Sequence, residues 1–169
     1  MLIGLGANLP SPQHGSPRRT LAVALAALAG EGIAVAARSA WYKSAPLPPS
    51  AQPWYVNAVA ALATEIGPFD LLAALQRVER QFGRVRGARN AARIVDLDLL
   101  DYDGQEIETA ALVLPHPRLH QRRFVLLPLS ELVPDWRHPH YGLTAAELLT
   151  LLTAEQPVDR LPEAGDPAG

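Results

Sequence analysis

Arg93-Ile94-Val95-Asp96-Leu97-Asp98-Leu99-Leu100, continuing through Asp101 and Tyr102 to Asp103-Gly104, is the stretch whose reading decides the fold. Side chains alternate between the two faces of a strand, so Asp96 and Asp98 share one face and Val95, Leu97 and Leu99 the other. The apolar face calls for a layer to cover it, and the segment just upstream supplies one. Phe69 to Phe82 places Leu71, Leu75, Val78 and Phe82 on one stripe of an amphipathic helix that Gly83 ends. Tyr55 to Ile66 is bounded by Pro53 and Gly67-Pro68 and is rich in strand formers, which predicts a strand. Ile33 to Lys43 alternates as a further strand, with Ile33, Val35 and Ala37 on one face. A helix from a Ser16 cap and Pro17 runs to Ala29 before Gly30 and Gly32, and Met1 to Ala7 reads as a buried strand. The loops at 8–17 and 44–53 are rich in Pro, and Thr144 to Leu152 forms a last short helix. Gln105 to Ile107 is a candidate return strand after the Asp103-Gly104 turn. The order β-α-β-β-α-β predicts an α+β, ferredoxin-like sandwich: an antiparallel sheet with helices packed on it. One domain spans residues 1–155, and 156–169, with three Pro and two Gly, reads as a disordered tail.

The acidic strand also carries chemistry. Two carboxylates that close repel, and a cation relieves the repulsion. Oxygen ligands without His or Cys point to Mg²⁺ shared with substrate phosphates, whereas an exposed polar face on an edge strand is the plainer alternative. Arg77, Arg80, Arg84, Arg86, Arg89 and Arg93 precede the pair and Arg118, Arg122 and Arg123 follow it. Carboxylates for a metal, flanked by guanidinium groups for developing charge, suit phosphoryl transfer. The loop from Gly83 to Arg93 holds almost no large apolar residue, which predicts a lid ordered by phosphates. Tyr55 and Asn57 fall on one strand face and offer a ring and an amide to a flat heterocycle; core packing would equally place them there.

Composition narrows the classes. The chain has 169 residues, 49% of them hydrophobic, which is enough for one real core. A net charge of −2 argues against bulk electrostatic binding to nucleic acid. Of 15 basic residues only Lys43 is lysine, and arginine favours bidentate contact with phosphate. The absence of Cys excludes disulfides and thiolate chemistry and fits the cytoplasm. No apolar run reaches the 18 residues that a membrane span needs. Neither a P-loop nor a dinucleotide fingerprint occurs.

Five blocks stand in order along residues 2–155: G-L-G-A-N (Gly4 to Asn8), A-P-L with Q-P-W-Y-V-N (Ala45 to Asn57), Q-R-V-E-R-Q-F-G-R-V-R (Gln76 to Arg86), R-I-V-D-L-D (Arg93 to Asp98) and L-P-H-P-R-L-H-Q-R-R-F-V-L-L-P-L (Leu114 to Leu129). Together they resemble the 6-hydroxymethyl-7,8-dihydropterin pyrophosphokinase family of folate biosynthesis. The resemblance implies a ferredoxin-like enzyme that transfers pyrophosphate from ATP to 6-hydroxymethyl-7,8-dihydropterin and releases AMP. It implies two Mg²⁺ ions on Asp96 and Asp98. Asn57 would read the pterin edge, with Tyr55 and Phe124 beside the ring and Ser44, Ala45 and Leu47 lining its pocket. Arg84, Arg93, His116 and Arg122 would face the ATP phosphates, with Arg84 and Arg93 catalytic alongside the two aspartates, and Gln76 and Glu79 would stand on the nucleotide side. A monomer without nucleic-acid or membrane partners is expected. The loop Arg89-Asn90-Ala91-Ala92-Arg93 lacks the Trp common in the family, and Gly87, Ala111, Val113, Pro117 and His120 depart from its pattern, which predicts altered ATP binding. A non-catalytic nucleotide-binding module and an Mg-dependent kinase producing ADP stay open as alternatives.

Overall fold

The computed structural model describes residues 1–83, 92–153 and 156–162. In it the central sheet is built on β1 (Leu2–Ala7), which pairs antiparallel with β4 (Tyr55–Ala63) on one side and with β5 (Asp96–Asp101) on the other. Beyond β4 lie β2 (Ala34–Arg38) and β3 (Tyr42–Ser44), and β8 (Val158–Arg160) closes that edge against β3. A separate two-stranded sheet joins β6 (Ile107–Glu108) to β7 (Val113–Leu114). The expected return strand therefore pairs with β7 rather than with β5. The architecture is the expected α+β sandwich with an antiparallel sheet.

Two helices cover one face. In α1 (Pro17–Ala27) the Ser16 hydroxyl accepts the Arg19 N–H, and Leu21 and Leu25 are buried. In α2 (Pro68–Gln81) Leu71, Leu75 and Val78 turn inward. They pack on Ile3, Leu5, Ala58, Ala60, Leu97 and Leu99, the side chains that alternation sends to this face. The opposite face carries a smaller apolar cluster of Leu2, Val59 and Leu100 under α3 (Arg123–Leu132) and α4 (Ala145–Leu151). The helix α4 begins with a capping box between Thr144 and Glu147. No described helix is long and apolar enough to cross a membrane.

Two readings are corrected, and one helix is new. The stretch Ile33 to Lys43 is two strands: the register shifts between Val35 and Ala37, and Ser39 to Trp41 lie outside both strands. Ser39 stays beside β4 by using its own hydroxyl, which accepts the Val59 N–H at 3.1 Å. Val35 consequently points to solvent. Helix α3, to which the sequence reading assigned no element, carries Pro128 inside it, and burial of Val125, Leu126 and Leu129 holds it. The segment from Gln156 is ordered through Pro162 rather than frayed. Besides the β3 pairing, Leu161 N–H donates to Trp41 O, Gln156 Nε2 to Ala45 O and Arg18 to Pro162 O. The proposed lid, with Arg84, Gly87 and Arg89, lies outside the described residues, apart from Gly83, Ala92 and Arg93.

Candidate active site

On the face shared with α3 and α4, the three central strands present Leu2, Gly4 and Gly6 (β1), Ala61, Val59 and Asn57 (β4), and Leu100, Asp98 and Asp96 (β5). The apolar half of this grid is covered by α3 and α4. The polar half is open. Asn57, Gly6 and Asp96 form one row across the sheet, because Gly6 is registered with both neighbours. The two glycines put no side chain into the space above them. That space is a cavity of about 820 Å³, in the upper part of the range of small-molecule sites. A Cβ added at Gly6 would stand 3.6 Å from Asn57 Oδ1, and one at Gly4 3.5 Å from the Leu100 side chain.

One end of the cavity suits a flat, hydrogen-bonding ring. Asn57 is buried, and its Nδ2 donates to the buried Ser44 Oγ at 2.8 Å, which fixes the amide's orientation. Tyr55, Leu47 and Phe124 bring apolar surface, and Ala45 and Pro46 complete the wall. Burial raises the Tyr55 phenol above its ordinary range, and the hydroxyl donates to Gln52 Oε1.

The other end is charged. Arg93 Nη1 pairs with Asp96 Oδ2, and Arg122 Nη1 stands 3.3 Å from Asp98 Oδ2. Arg118 and His116 line the same wall. Burial, reinforced by Arg122 and Arg118, pushes the His116 pKa down to about 4, so the ring is neutral near pH 7. The Arg118 N–H donates to His116 Nδ1 at 3.1 Å, which puts the ring proton on Nε2. Nε2 stands 3.9 Å from Asp98 Oδ2, beyond hydrogen-bond reach. It is therefore a neutral donor beside the carboxylates. Burial lowers the Arg122 pKa while Asp98 pulls it back up.

Residues 2–134 match the family described as 7,8-dihydro-6-hydroxymethylpterin-pyrophosphokinase (HPPK). The chain belongs to this family. It is 41% identical over 163 residues to the 2-amino-4-hydroxy-6-hydroxymethyldihydropteridine pyrophosphokinase of Pseudomonas aeruginosa, covering 96% of each chain. The proteins of the same name from Haemophilus influenzae and Synechocystis sp. are similar at 42% over 134 residues and 39% over 149. Those alignments cover 79% and 88% of this chain and 81% and 73% of the relatives.

In this HPPK-family chain the cavity gathers Ser44, Ala45, Leu47, Tyr55, Asn57, Arg93, Asp96, Asp98, His116, Arg122 and Phe124, all singled out from sequence. Two others fall elsewhere. Glu79 is buried on the helical side of the sheet, where its Oε1 accepts the Leu97 N–H at 2.7 Å. It braces the edge strand β5. Gln76, one turn earlier on α2, is not among the cavity's lining residues. Sequence reasoning gave no site role to Gly4, Gly6, Gln52 or Gln121, which line the cavity. The spacing of Gly4 and Gly6, matching that of Asp96 and Asp98, was the available signal for the two glycines.

Proposed function

We propose that this chain transfers the β,γ-pyrophosphoryl group of ATP to the hydroxymethyl oxygen of 6-hydroxymethyl-7,8-dihydropterin and releases AMP. The observation that carries this reading is the row Asn57–Gly6–Asp96: a heterocycle-reading amide and a carboxylate flank a bare floor within one cavity. Asn57, held by Ser44, reads the ring edge, and Tyr55 and Phe124 contact its faces. Arg93, Arg122 and the Nε2–H of His116 meet phosphate oxygens. The hydroxymethyl oxygen bonds to the β-phosphorus while the bond from that phosphorus to the α,β-bridging oxygen breaks. AMP leaves with the electron pair, and the hydroxyl proton passes to solvent. Wall residues hold the two reactants in line, and the guanidinium groups stabilise the charge that shifts toward the leaving group.

The donor chemistry fits Mg²⁺. Asp96 and Asp98 offer hard oxygens from one strand face. Among the described residues no group of three or more His, Asp or Glu donors is assembled. A partial protein shell suits an ion that keeps water and takes phosphate oxygens as its remaining ligands. Asp96 and Asp98 would hold two such ions. When bound, Mg²⁺ neutralises and orients the polyphosphate. A monomer is the proposed working unit, and the lack of Cys suits the cytoplasm. Small residues in place of the family's loop Trp support weaker ATP binding than in relatives that carry it.

Nucleotide product analysis with ATP, Mg²⁺ and the dihydropterin tests the reading. AMP formation dependent on the pterin upholds it. ADP would establish the simple kinase, and nucleotide binding without turnover the non-catalytic module.

A further inference from the structure

Asn8 lies at the end of β1 and is 2% exposed, and its amide reaches three segments at once. Its Oδ1 accepts the Arg93 N–H at 2.7 Å. Its Nδ2 donates to Pro53 O at 3.1 Å and to Gln52 Oε1 at 3.2 Å. The backbone N–H groups of Asn8 and Leu9 both donate to Arg93 O, at 2.9 and 3.1 Å. Gln52 Oε1 in turn accepts the Tyr55 hydroxyl at 3.3 Å. Arg93 begins the charged wall and is held to Asp96, whereas Gln52 and Tyr55 belong to the ring-reading wall.

We infer that Asn8 is a positioning residue for the reaction proposed above, an amide clamp that sets the spacing between the phosphate-side Arg93 and the pterin-side Gln52–Tyr55 wall. The side chain must accept one backbone N–H and donate two hydrogens to two different acceptors from a single short stem. Among side chains of this length only an amide does both. Asp keeps the acceptor but sets a negative charge against Pro53 O and Gln52 Oε1. Ala removes both functions. Because loops 44–54 and 92–95 otherwise meet β1 from opposite sides, loss of the clamp lets the two walls shift independently. In-line transfer is sensitive to such shifts, since a displacement near 1 Å costs about 100-fold in rate.

The test combines amide hydrogen exchange of the unliganded protein with steady-state kinetics on ATP and the dihydropterin. In Asn8→Ala the Arg93 amide should exchange at least about tenfold faster, and kcat should fall about 100-fold. Asn8→Asp should keep the Arg93 amide protected while raising the pterin KM about tenfold, as expected for losing the donor arm alone. Gln52→Ala should raise the pterin KM more than it lowers kcat. A drop in Tm alone for Asn8→Ala, with Arg93 exchange and kcat at wild-type values, would overturn the inference, as would Asn8→Asp behaving as wild type in both readouts. Should Asn8→Ala not fold, Asn8→Asp and Gln52→Ala decide the question. If the wild-type protein makes no AMP, the activity reading fails, and the Arg93 exchange result still decides whether the clamp exists.

Discussion

Replacing Gly6 with Val separates folding from function more sharply than replacing any charged residue. Gly6 sits mid-strand, paired with Asn57 on β4 and Asp96 on β5, and its backbone is not in the left-handed region. A β-branched residue is at home in such a strand, and glycine there costs about 0.5–1 kcal/mol in conformational entropy. The first added carbon would lie 3.6 Å from Asn57 Oδ1, an ordinary contact, so the sheet need not move. The two further methyls of Val have nowhere to go except into the cavity floor between the ring-reading and charged ends. Overpacking of that kind costs about 1–3 kcal/mol, which corresponds to roughly 5- to 150-fold in pterin affinity. Gly6→Ala should therefore bind the dihydropterin within a few-fold of wild type. Gly6→Val should lose most binding and turnover while its Tm stays level or rises. Calorimetric titration with the dihydropterin and a thermal melt on the same samples measure both quantities. Wild-type turnover in Gly6→Val would show that no ligand lies over the floor. A collapse in Tm would show instead that the bare strand is needed for packing.

Asp98→Ala should cut turnover by several orders of magnitude at saturating Mg²⁺ with little change in far-UV circular dichroism, and near-normal turnover would remove Asp98 from the site. Asn57→Ala leaves Ser44 Oγ without its 2.8 Å donor and should weaken dihydropterin binding by about 1–3 kcal/mol; an equal loss in ATP affinity would make Asn57 a structural residue only. His138 is buried beside His120, His140, Glu106, Trp136 and Tyr141, and burial is the main force pushing its pKa down to about 4. The unfolded chain takes up this proton below about pH 6.5, while the folded chain refuses it until about pH 4. Its contribution is therefore complete above pH 6.5 and is lost as pH falls toward 4, amounting to about 2 kcal/mol between pH 6.5 and 5. Urea titrations at pH 7 and 5 should show a smaller acid loss in His138→Phe than in wild type, and equal losses would place the acid sensitivity elsewhere. Deleting residues 156–169 removes β8 and the bonds that Gln156 and Pro157 make with Ala45, so it should lower Tm and raise the pterin KM; an unchanged KM would show that β8 plays no part in shaping the wall.

What the chain's sequence determined by itself is whatever short-range chemistry governs. Alternation in β5 put Asp96 and Asp98 on one face, the 3.6-residue stripe of Leu71, Leu75 and Val78 turned α2 inward, and Ser16 and Thr144 marked helix starts. Each of these depends on residues a few positions apart, where pattern and geometry are the same thing. The ordered motifs added the family and most of the cavity's lining. Tertiary structure alone decided the rest, because strand register and desolvation join residues far apart in the chain. Only the β1 register turns Gly6 into the floor between Asn57 and Asp96. Only the packing of α2 on the sheet gives Glu79 its bond to the Leu97 N–H of the edge strand β5. The segment 123–132, with Pro128 inside it, forms α3 because Leu2, Val59 and Leu100 offer it a surface to bury. The polar, Pro-bearing segment from Gln156 formed a strand for the same reason: β3 presented an open edge, and pairing along an edge depends on the backbone more than on the side chains.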